Sequence, residues 1–174
     1  MLFTLASPLA AEGKALEEAS DDQERHIQLA DVESNLVKEA ADRFFEALRS
    51  EDKTALAAVM VPEAVIFVHN RMDPANPRVD VVPVGEHLER WARGTRAVDE
   101  VMTYETVLVD GDMAHVWGPY RFAVEGQTTH CGINSISLIR TDRSVYGEWK
   151  VANTSFTMVP PVQCAAIGAP EFAQ

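Results

Sequence analysis

The residues best suited to chemistry are His130 and Asn134, which lie four positions apart in a segment whose pattern predicts a β-strand, residues 128–140. Evenly spaced side chains in a strand face the same side, so these two should lie together, with Cys131 on the other side. Histidine can act as an acid or base near neutral pH, whereas an amide can only donate and accept hydrogen bonds. We therefore expect a polar patch in which His130 moves a proton and Asn134 orients a bound molecule. The alternative is a buried histidine that a neighbouring strand or helix holds in place.

The side chains opposite this pair depend on the register of the preceding hairpin, which turns at Glu125-Gly126. A strict two-residue turn would place Arg121 opposite His130. A bulged or longer turn would bring Tyr120 and Phe122 to that side instead, because a slip of one residue moves every side chain to the other face. The pattern of the hairpin leaves both registers open.

A second candidate, His69, ends a predicted strand and opens a proline-rich loop over residues 69–83. Such a position suits a general base at the mouth of a pocket, although a strand-end residue with no chemical role is the alternative. The five histidines show neither HxH nor HExxH spacing and have few carboxylates nearby, so we expect no metal site and no other cofactor. The chain also lacks the GxSxG and GxGxxG motifs of hydrolases and dinucleotide-binding proteins.

The elements that must position these residues are helices followed by strands. Apolar side chains recur at three- and four-residue steps from Leu29 to Leu48, which predicts an amphipathic helix. A short second helix should follow Asp52 and end at Pro62, and a third should cover residues 86–93. Short strands are predicted at residues 64–68 and 79–82, and an antiparallel meander of four strands at residues 98–109, 113–124, 128–140 and 148–158.

This order predicts one α+β domain, with three N-terminal helices packed on one face of a curved, mostly antiparallel sheet. The domain should cover residues 27–160, after a leader or flexible N-terminus over residues 1–26 and before a loose tail over residues 161–174. The two cysteines, Cys131 and Cys164, are interpreted as free thiols, since a bridge would require export and a tail that folds back.

Charge and the N-terminus bear on partners and compartment. The chain has 174 residues, a net charge of −12 and a pI of about 4.7, which argues against nucleic acid and anionic membranes as partners, because both require a basic surface. The first eleven residues resemble the end of a signal sequence, but the basic n-region is missing. The compartment stays open, with the cytoplasm slightly favoured over export.

Six segments, taken in order, resemble the nuclear transport factor 2-like superfamily, in particular its SnoaL-like, ketosteroid isomerase-like and uncharacterised bacterial members. The resemblance covers residues 31–158. The segments are Ala41-Asp42-Arg43-Phe44-Phe45-Glu46-Ala47-Leu48, Pro62-Glu63-Ala64-Val65-Ile66-Phe67, Val84-Gly85-Glu86, Asp110-Gly111-Asp112-Met113-Ala114, His130-Cys131-Gly132-Ile133-Asn134 and Glu148-Trp149-Lys150-Val151. The resemblance implies a cone-shaped half-barrel of the cystatin-like α+β kind, whose helices close the wide end over a pocket, and frequent dimerisation through the outer sheet face.

The resemblance also bears on the site. It favours Tyr120 and Phe122 inside the pocket. Phe44, Val68 and Asn134 stand near the positions where a steroid isomerase would need a tyrosine and two acids, so that isomerisation is not expected.

The expected pocket and interface can be stated by residue. His130 and Asn134 should line a cavity closed by aromatic side chains, with a hydroxyl from Tyr120 and with His69 near the mouth; the aromatic residues are Phe44, Phe45, Phe122 and Trp149. A homodimer should form through the outer face, which would carry Trp117, Ile133, Ser135 and Ser137.

Two functions remain open at this point. The first is a domain that binds a small apolar molecule, and that could act as a lyase, isomerase or cyclase with one acid/base residue. The second is a non-catalytic module for dimerisation or partner binding, whose pocket is closed by its own side chains. The sequence alone does not decide whether the chain is an enzyme.

Overall fold

The fold comes from a computed structural model, which describes residues 8–141 and 147–173. These residues form three α-helices: α1 (Pro8–Arg49), α2 (Ala55–Val59) and α3 (Val84–Ala92). Residues 1–7 of the expected leader lie outside the described residues. No helix in the described part of the chain is long and apolar enough to cross a membrane.

Helix α1 differs from the expectation because it begins at Pro8, about twenty residues before the first apolar stripe. Residues 23–32 are exposed throughout, so burial does not hold this part helical. Its composition, rich in Ala and Glu, favours helix on propensity alone. The second half of the helix is amphipathic as predicted, with buried Val37, Ala41, Phe44, Phe45 and Leu48 against the sheet.

Seven strands form one open, twisted sheet: β1 (Met60–Asn70), β2 (Arg78–Pro83), β3 (Val98–Met102), β4 (Thr106–Asp110), β5 (Met113–Val124), β6 (Gln127–Arg140) and β7 (Trp149–Met158). The order is β2-β1-β7-β6-β5-β3, and β4 also pairs with β5. All pairs are antiparallel except β1 with β7. This arrangement confirms the predicted α+β half-barrel.

The first strand of the predicted meander is instead two strands, β3 and β4, so the described part of residues 98–158 contains five strands and not four. The break lies at Thr103–Glu105, where the backbone of Thr103 crowds Gly118 on β5. A Cβ atom at Gly118 would lie 1.8 Å from the Thr103 carbonyl oxygen, so only glycine fits there. As a result β3 pairs with Tyr120–Val124 of β5, and β4 pairs with Met113–Trp117.

The C-terminal tail is not loose, and the cysteines are not free thiols. Cys131 on β6 forms a disulfide with Cys164, whose Cα lies 5.7 Å away, just after a short 3-10 helix at Pro161–Gln163. The guanidinium of Arg121 donates hydrogen bonds to the Pro170 carbonyl at 2.6 Å and to the Glu171 carboxylate at 2.6 Å. The bridge and these bonds hold the tail against the outer face of β5 and β6.

Candidate functional site

An apolar cavity of about 220 Å³ lies between the concave face of the sheet and helices α1 and α3. Sixteen side chains line it, most of them aliphatic or aromatic, with a few polar residues on α3, β3, β6 and β7. They are Phe44, Leu48, Ile66, Val68, Val82, His87, Arg90, Trp91, Glu100, Tyr120, Phe122, His130, Asn134, Thr154, Phe156 and Met158. An apolar wall with few polar groups is the usual composition of a ligand site.

The hairpin register that sequence left open is set by two features together. Glu125 (φ 53°) and Gly126 (φ 73°) form the two-residue turn, which requires positive φ at both positions. A register shift between Phe122 and Ala123 then inserts one extra residue on β6. As a result Phe122 pairs with His130, and Tyr120 pairs with Gly132. Phe122 and Tyr120 therefore face the cavity.

The central polar contact of the cavity joins Glu100 on β3 to Asn134 on β6. The Asn134 Nδ2 donates a hydrogen bond of 2.9 Å to the Glu100 Oε1. Both residues are buried, Glu100 at 7% exposure and Asn134 at 3%. Burial raises the pKa of Glu100 to about 8, although the bond from Asn134 and the charge of Arg49 act in the opposite direction. Glu100 is therefore mainly protonated at neutral pH.

Glu100 is the site residue that sequence reasoning missed. Its signal was a pair of adjacent carboxylates, Asp99 and Glu100, in the otherwise apolar strand Val98–Met102. Alternation must turn one of the two inward, and an inward acid is expensive unless it has a partner or a role. Because Glu100 pairs with Phe122, its side depends on the same register that the sequence left open. Once Phe122 faces the cavity, Glu100 must face it as well.

Two buried polar atoms of the cavity lining have no hydrogen-bond partner among the described residues. One is the Oδ1 of Asn134, an acceptor, and the other is the indole Nε1 of Trp91, a donor. Buried polar groups are nearly always paired, so each of these atoms calls for a specific explanation. A ligand that offers a donor to Asn134 and an acceptor to Trp91 would satisfy both.

His130 lines the cavity as predicted, but its surroundings favour the neutral imidazole. Its ring stacks on Phe122 at 4.8 Å and meets the edge of Tyr120 at 5.8 Å. Its Nδ1 is within hydrogen-bonding distance of Thr129 Oγ1, at 3.0 Å. Burial lowers the pKa of His130 to about 4, so at neutral pH it is a weak base.

Phe44, Phe122, Asn134 and Tyr120 also line the cavity, as expected. The Tyr120 hydroxyl, however, donates to the main-chain oxygen of Thr157 at 2.9 Å. Burial raises the pKa of this phenol far above its usual value. Tyr120 therefore contributes mainly its ring to the wall.

Three predicted residues do not line the cavity. His69 lies on the face of β1 opposite to Val68, with its Nε2 3.1 Å from Ser155 Oγ. Phe45 packs edge-on against Phe44 at 5.4 Å, behind the wall. Trp149 is buried elsewhere in the core, with the Arg140 guanidinium 4.7 Å from its ring. No cluster of His, Cys, Asp and Glu that could hold a metal ion occurs in the part of the chain that the structure describes.

Comparison with known proteins identifies the fold. No protein-family model matches the chain, and no curated protein shows significant sequence similarity to it. Solved structures do match. A proposed dehydratase of the nuclear transport factor 2-like family from Streptomyces avermitilis is 22% identical, with 74% of this chain and 97% of that one covered and a TM-score of 0.56. A nuclear transport factor 2-like protein from Cytophaga hutchinsonii is 13% identical, with 71% and 96% covered and a TM-score of 0.56.

A third similar structure is the β subunit of a proposed aromatic-ring-hydroxylating dioxygenase from Novosphingobium aromaticivorans. It is 11% identical, with 75% of this chain and 92% of that one covered and a TM-score of 0.59. At these identities the likeness concerns the fold. The chain has the nuclear transport factor 2-like fold, as the order of its segments predicted.

Proposed function

We propose that this chain binds a small, largely apolar molecule in the cavity and moves a proton on it through Glu100. The observation that carries the proposal is a buried carboxyl group that faces an apolar cavity beside the unpaired Oδ1 of Asn134. A strongly perturbed acid in a cleft is a recognised mark of acid/base sites. The cavity, at about 220 Å³, is smaller than the roughly 300–1,000 Å³ of sites for drug-sized ligands, so the ligand should be compact.

The simplest reaction for one such carboxyl is elimination of water. Glu100, protonated at neutral pH, donates its proton to a departing hydroxyl and then receives the proton released from the adjacent carbon. The carboxyl ends the cycle as it began, and the products are an alkene and water. Asn134 Oδ1 accepts a hydrogen bond from the hydroxyl and holds it in place, while Trp91 Nε1 is free to donate to a carbonyl.

The similar fold of the proposed dehydratase from Streptomyces avermitilis supports this lyase chemistry. The same carboxyl would also serve an isomerase or a cyclase, since each needs one group that gives and takes a proton. Steroid-type isomerisation stays unexpected, because Phe44, Val68 and Asn134 all line the cavity and none of them ionises.

The test is turnover of small β-hydroxycarbonyl compounds that carry one apolar ring or chain. Each is incubated with the protein in D2O, and dehydrated product and deuterium uptake are followed by mass spectrometry and NMR. We expect the Glu100→Gln variant to lose at least about 100-fold in rate, the range of general acid–base catalysis. Glu105→Gln makes the same chemical change at an exposed position and should leave the rate unchanged.

Turnover that survives in Glu100→Gln would contradict the proposal. If no compound in the panel binds at all, the alternative of a non-catalytic module with a closed pocket is favoured.

The outer sheet face supports a proposal on assembly, with a second copy of this chain as the partner. Four large apolar side chains are exposed on it: Leu108 (60%), Met113 (61%), Trp117 (43%) and Ile139 (38%). They lie on three neighbouring strands, where Met113 pairs with Ile139. The other expected interface residues, Ile133, Ser135 and Ser137, are half-buried beside them. A twofold pairing would cover this patch on both copies at once.

A further inference from the structure

A second recess, of about 360 Å³, adjoins the cavity and is lined by basic side chains. We call it the basic recess; its cations are Lys53, Arg90, Arg93 and Arg96. No carboxylate occurs among the described residues that line it. The chain as a whole has a net charge of −12, so a concentration of positive charge here departs from the overall composition.

Carboxylates of the protein itself form only weak ion pairs with these cations. Glu86 and Glu89 lie 3.7 Å from Arg90 and Arg93, and all four side chains are exposed, a geometry that contributes little to stability. In the described residues Arg96 forms no ion pair or hydrogen bond. Most of the positive charge of the recess is therefore open to an external anion.

Lys53 is held in place by neutral groups. Its ammonium donates to the Ser50 main-chain oxygen at 2.8 Å and lies 5.4 Å from the centre of the Trp91 ring. No carboxylate neutralises it in these contacts, so its charge adds to the field of the recess.

The cavity and the basic recess share a wall. His87, Arg90 and Trp91 line both. The Nε1 of Trp91, which lines both, and the Oδ1 of the buried Asn134, which lines the cavity, have no partner in the described part of the chain. One molecule can therefore meet apolar surface and unpaired polar atoms in the cavity and positive charge where the cavity meets the recess.

We infer that the ligand is a small amphipathic organic anion, whose apolar body occupies the cavity and whose carboxylate or phosphate group lies against Arg90 and Arg96. This inference rests on the proposed function, because it assigns a substrate class to the same cavity. Guanidinium groups suit such a ligand, because their planar set of N–H donors matches the oxygens of both carboxylate and phosphate. The body must supply the hydrogen-bond donor that Asn134 Oδ1 lacks.

The test compares three probes that share one ring, whose hydroxyl can donate to Asn134 Oδ1: 4-hydroxycyclohexanecarboxylate, 4-hydroxycyclohexyl phosphate and the neutral 4-hydroxycyclohexanecarboxamide. Each is titrated into the full chain, and binding is followed by NMR chemical shifts. At low salt we expect at least one anion to bind at least about fivefold more tightly than the carboxamide, since several cations act together. Added salt should reduce that preference, because the recess is open to solvent. The tighter of the two anions identifies the charged group.

Variants locate the effect. Arg96→Gln changes a residue that lines the recess but not the cavity, so it should reduce the preference for the anion while the carboxamide binds as it does to the wild type. Arg90→Gln changes a residue that lines both, and it should reduce the preference for the anion over the carboxamide. Arg43→Gln removes the same charge at an exposed position of α1 that lines neither the cavity nor the recess, and it should keep the preference.

The outcomes separate this inference from the proposed function. Equal binding of the anions and the carboxamide overturns the anionic class alone and leaves the cavity as a ligand site. A preference that persists in both Arg90→Gln and Arg96→Gln overturns the basic recess as its source. If none of the three probes binds, the cavity is not a site for compact ligands, and the proposed function fails with the inference.

Discussion

Asn134 and Glu100 are joined by a buried hydrogen bond of 2.9 Å that crosses from β6 to β3 beneath helix α1. The bond uses the amide nitrogen and leaves the amide oxygen unpaired among the described residues. The bond lowers the free-energy cost of burying the Glu100 carboxylate but does not cancel it, because the pKa of Glu100 is still raised to about 8. The pair thus combines a proton source with an acceptor that a bound hydroxyl can use.

The first prediction concerns stability against pH. The pKa of Glu100 is raised from 4.5 to about 8 in the folded chain, so its stabilising proton is fully present below pH 4.5 and is lost as the pH rises to about 8. Between pH 6.5 and 8 we expect the free energy of unfolding to fall by about 1–2 kcal/mol. Urea unfolding at the two pH values measures it. Glu100→Gln should flatten the profile, and a wild-type profile that is already flat would contradict the raised pKa.

The second prediction concerns His130 and has the opposite sign. Burial lowers its pKa from 6.5 to about 4, so the stability that depends on the neutral ring is present above pH 6.5 and is lost as the pH falls toward 4. His130→Phe keeps a ring that can stack on Phe122 and cannot ionise. Its Tm should therefore fall less between pH 7 and pH 4.5 than the wild-type Tm does. An equal fall in Tm would show that His130 does not cause the loss of stability at low pH. His87, whose pKa is also lowered by burial, would then be the next group to test.

The third prediction concerns the Cys131–Cys164 disulfide, which closes a loop across 33 positions. Cys164→Ser should lower the free energy of unfolding by roughly 2–4 kcal/mol, because the unfolded chain loses a constraint. A reductant should lower the wild-type Tm and leave that of the double Cys→Ser variant unchanged. If two free thiols react in the unreduced, denatured wild type, the bridge is absent.

The fourth prediction concerns assembly. Met113→Glu puts a charge on the exposed apolar patch of the outer face, which should convert the proposed dimer into a monomer in light scattering at micromolar concentration. Val162→Glu places the same charge at an apolar residue that is 87% exposed in the tail, and it should remain dimeric. A wild-type chain that is already monomeric in mild salt would rule out the proposed interface.

The fold could be predicted from sequence wherever a local sequence pattern was enough to determine an element. The stripe through Phe44 and Leu48 indicated the first helix, and glycine-containing turns indicated the strands of the meander. The start of α1 could not be predicted in this way, because its first half depends on propensity without an apolar stripe. The cysteine pair was missed because it depends on the path of the tail, and no local pattern near Cys164 specifies that path.

The site was only partly predictable. His130 and Asn134 were found because even spacing in one strand fixes a shared face. Glu100 was missed because it faces the same side as its partner Phe122 on β5, and the side that Phe122 faces depends on the extra residue in β6. The expected positions of His69 and Trp149 failed because each lies near a strand end, where sequence gives little control over the facing side.

The most direct test of the central claim is a titration of the Glu100 carboxyl by carbon-13 NMR, with side-chain carboxyls labelled and the signal assigned by its loss in Glu100→Gln. We expect its midpoint at about pH 8, and we expect the midpoint to move when a compact ligand occupies the cavity. A midpoint near the ordinary glutamate value of 4.5, unmoved by any ligand, would mean that Glu100 is not a proton carrier at neutral pH and would contradict the proposed function.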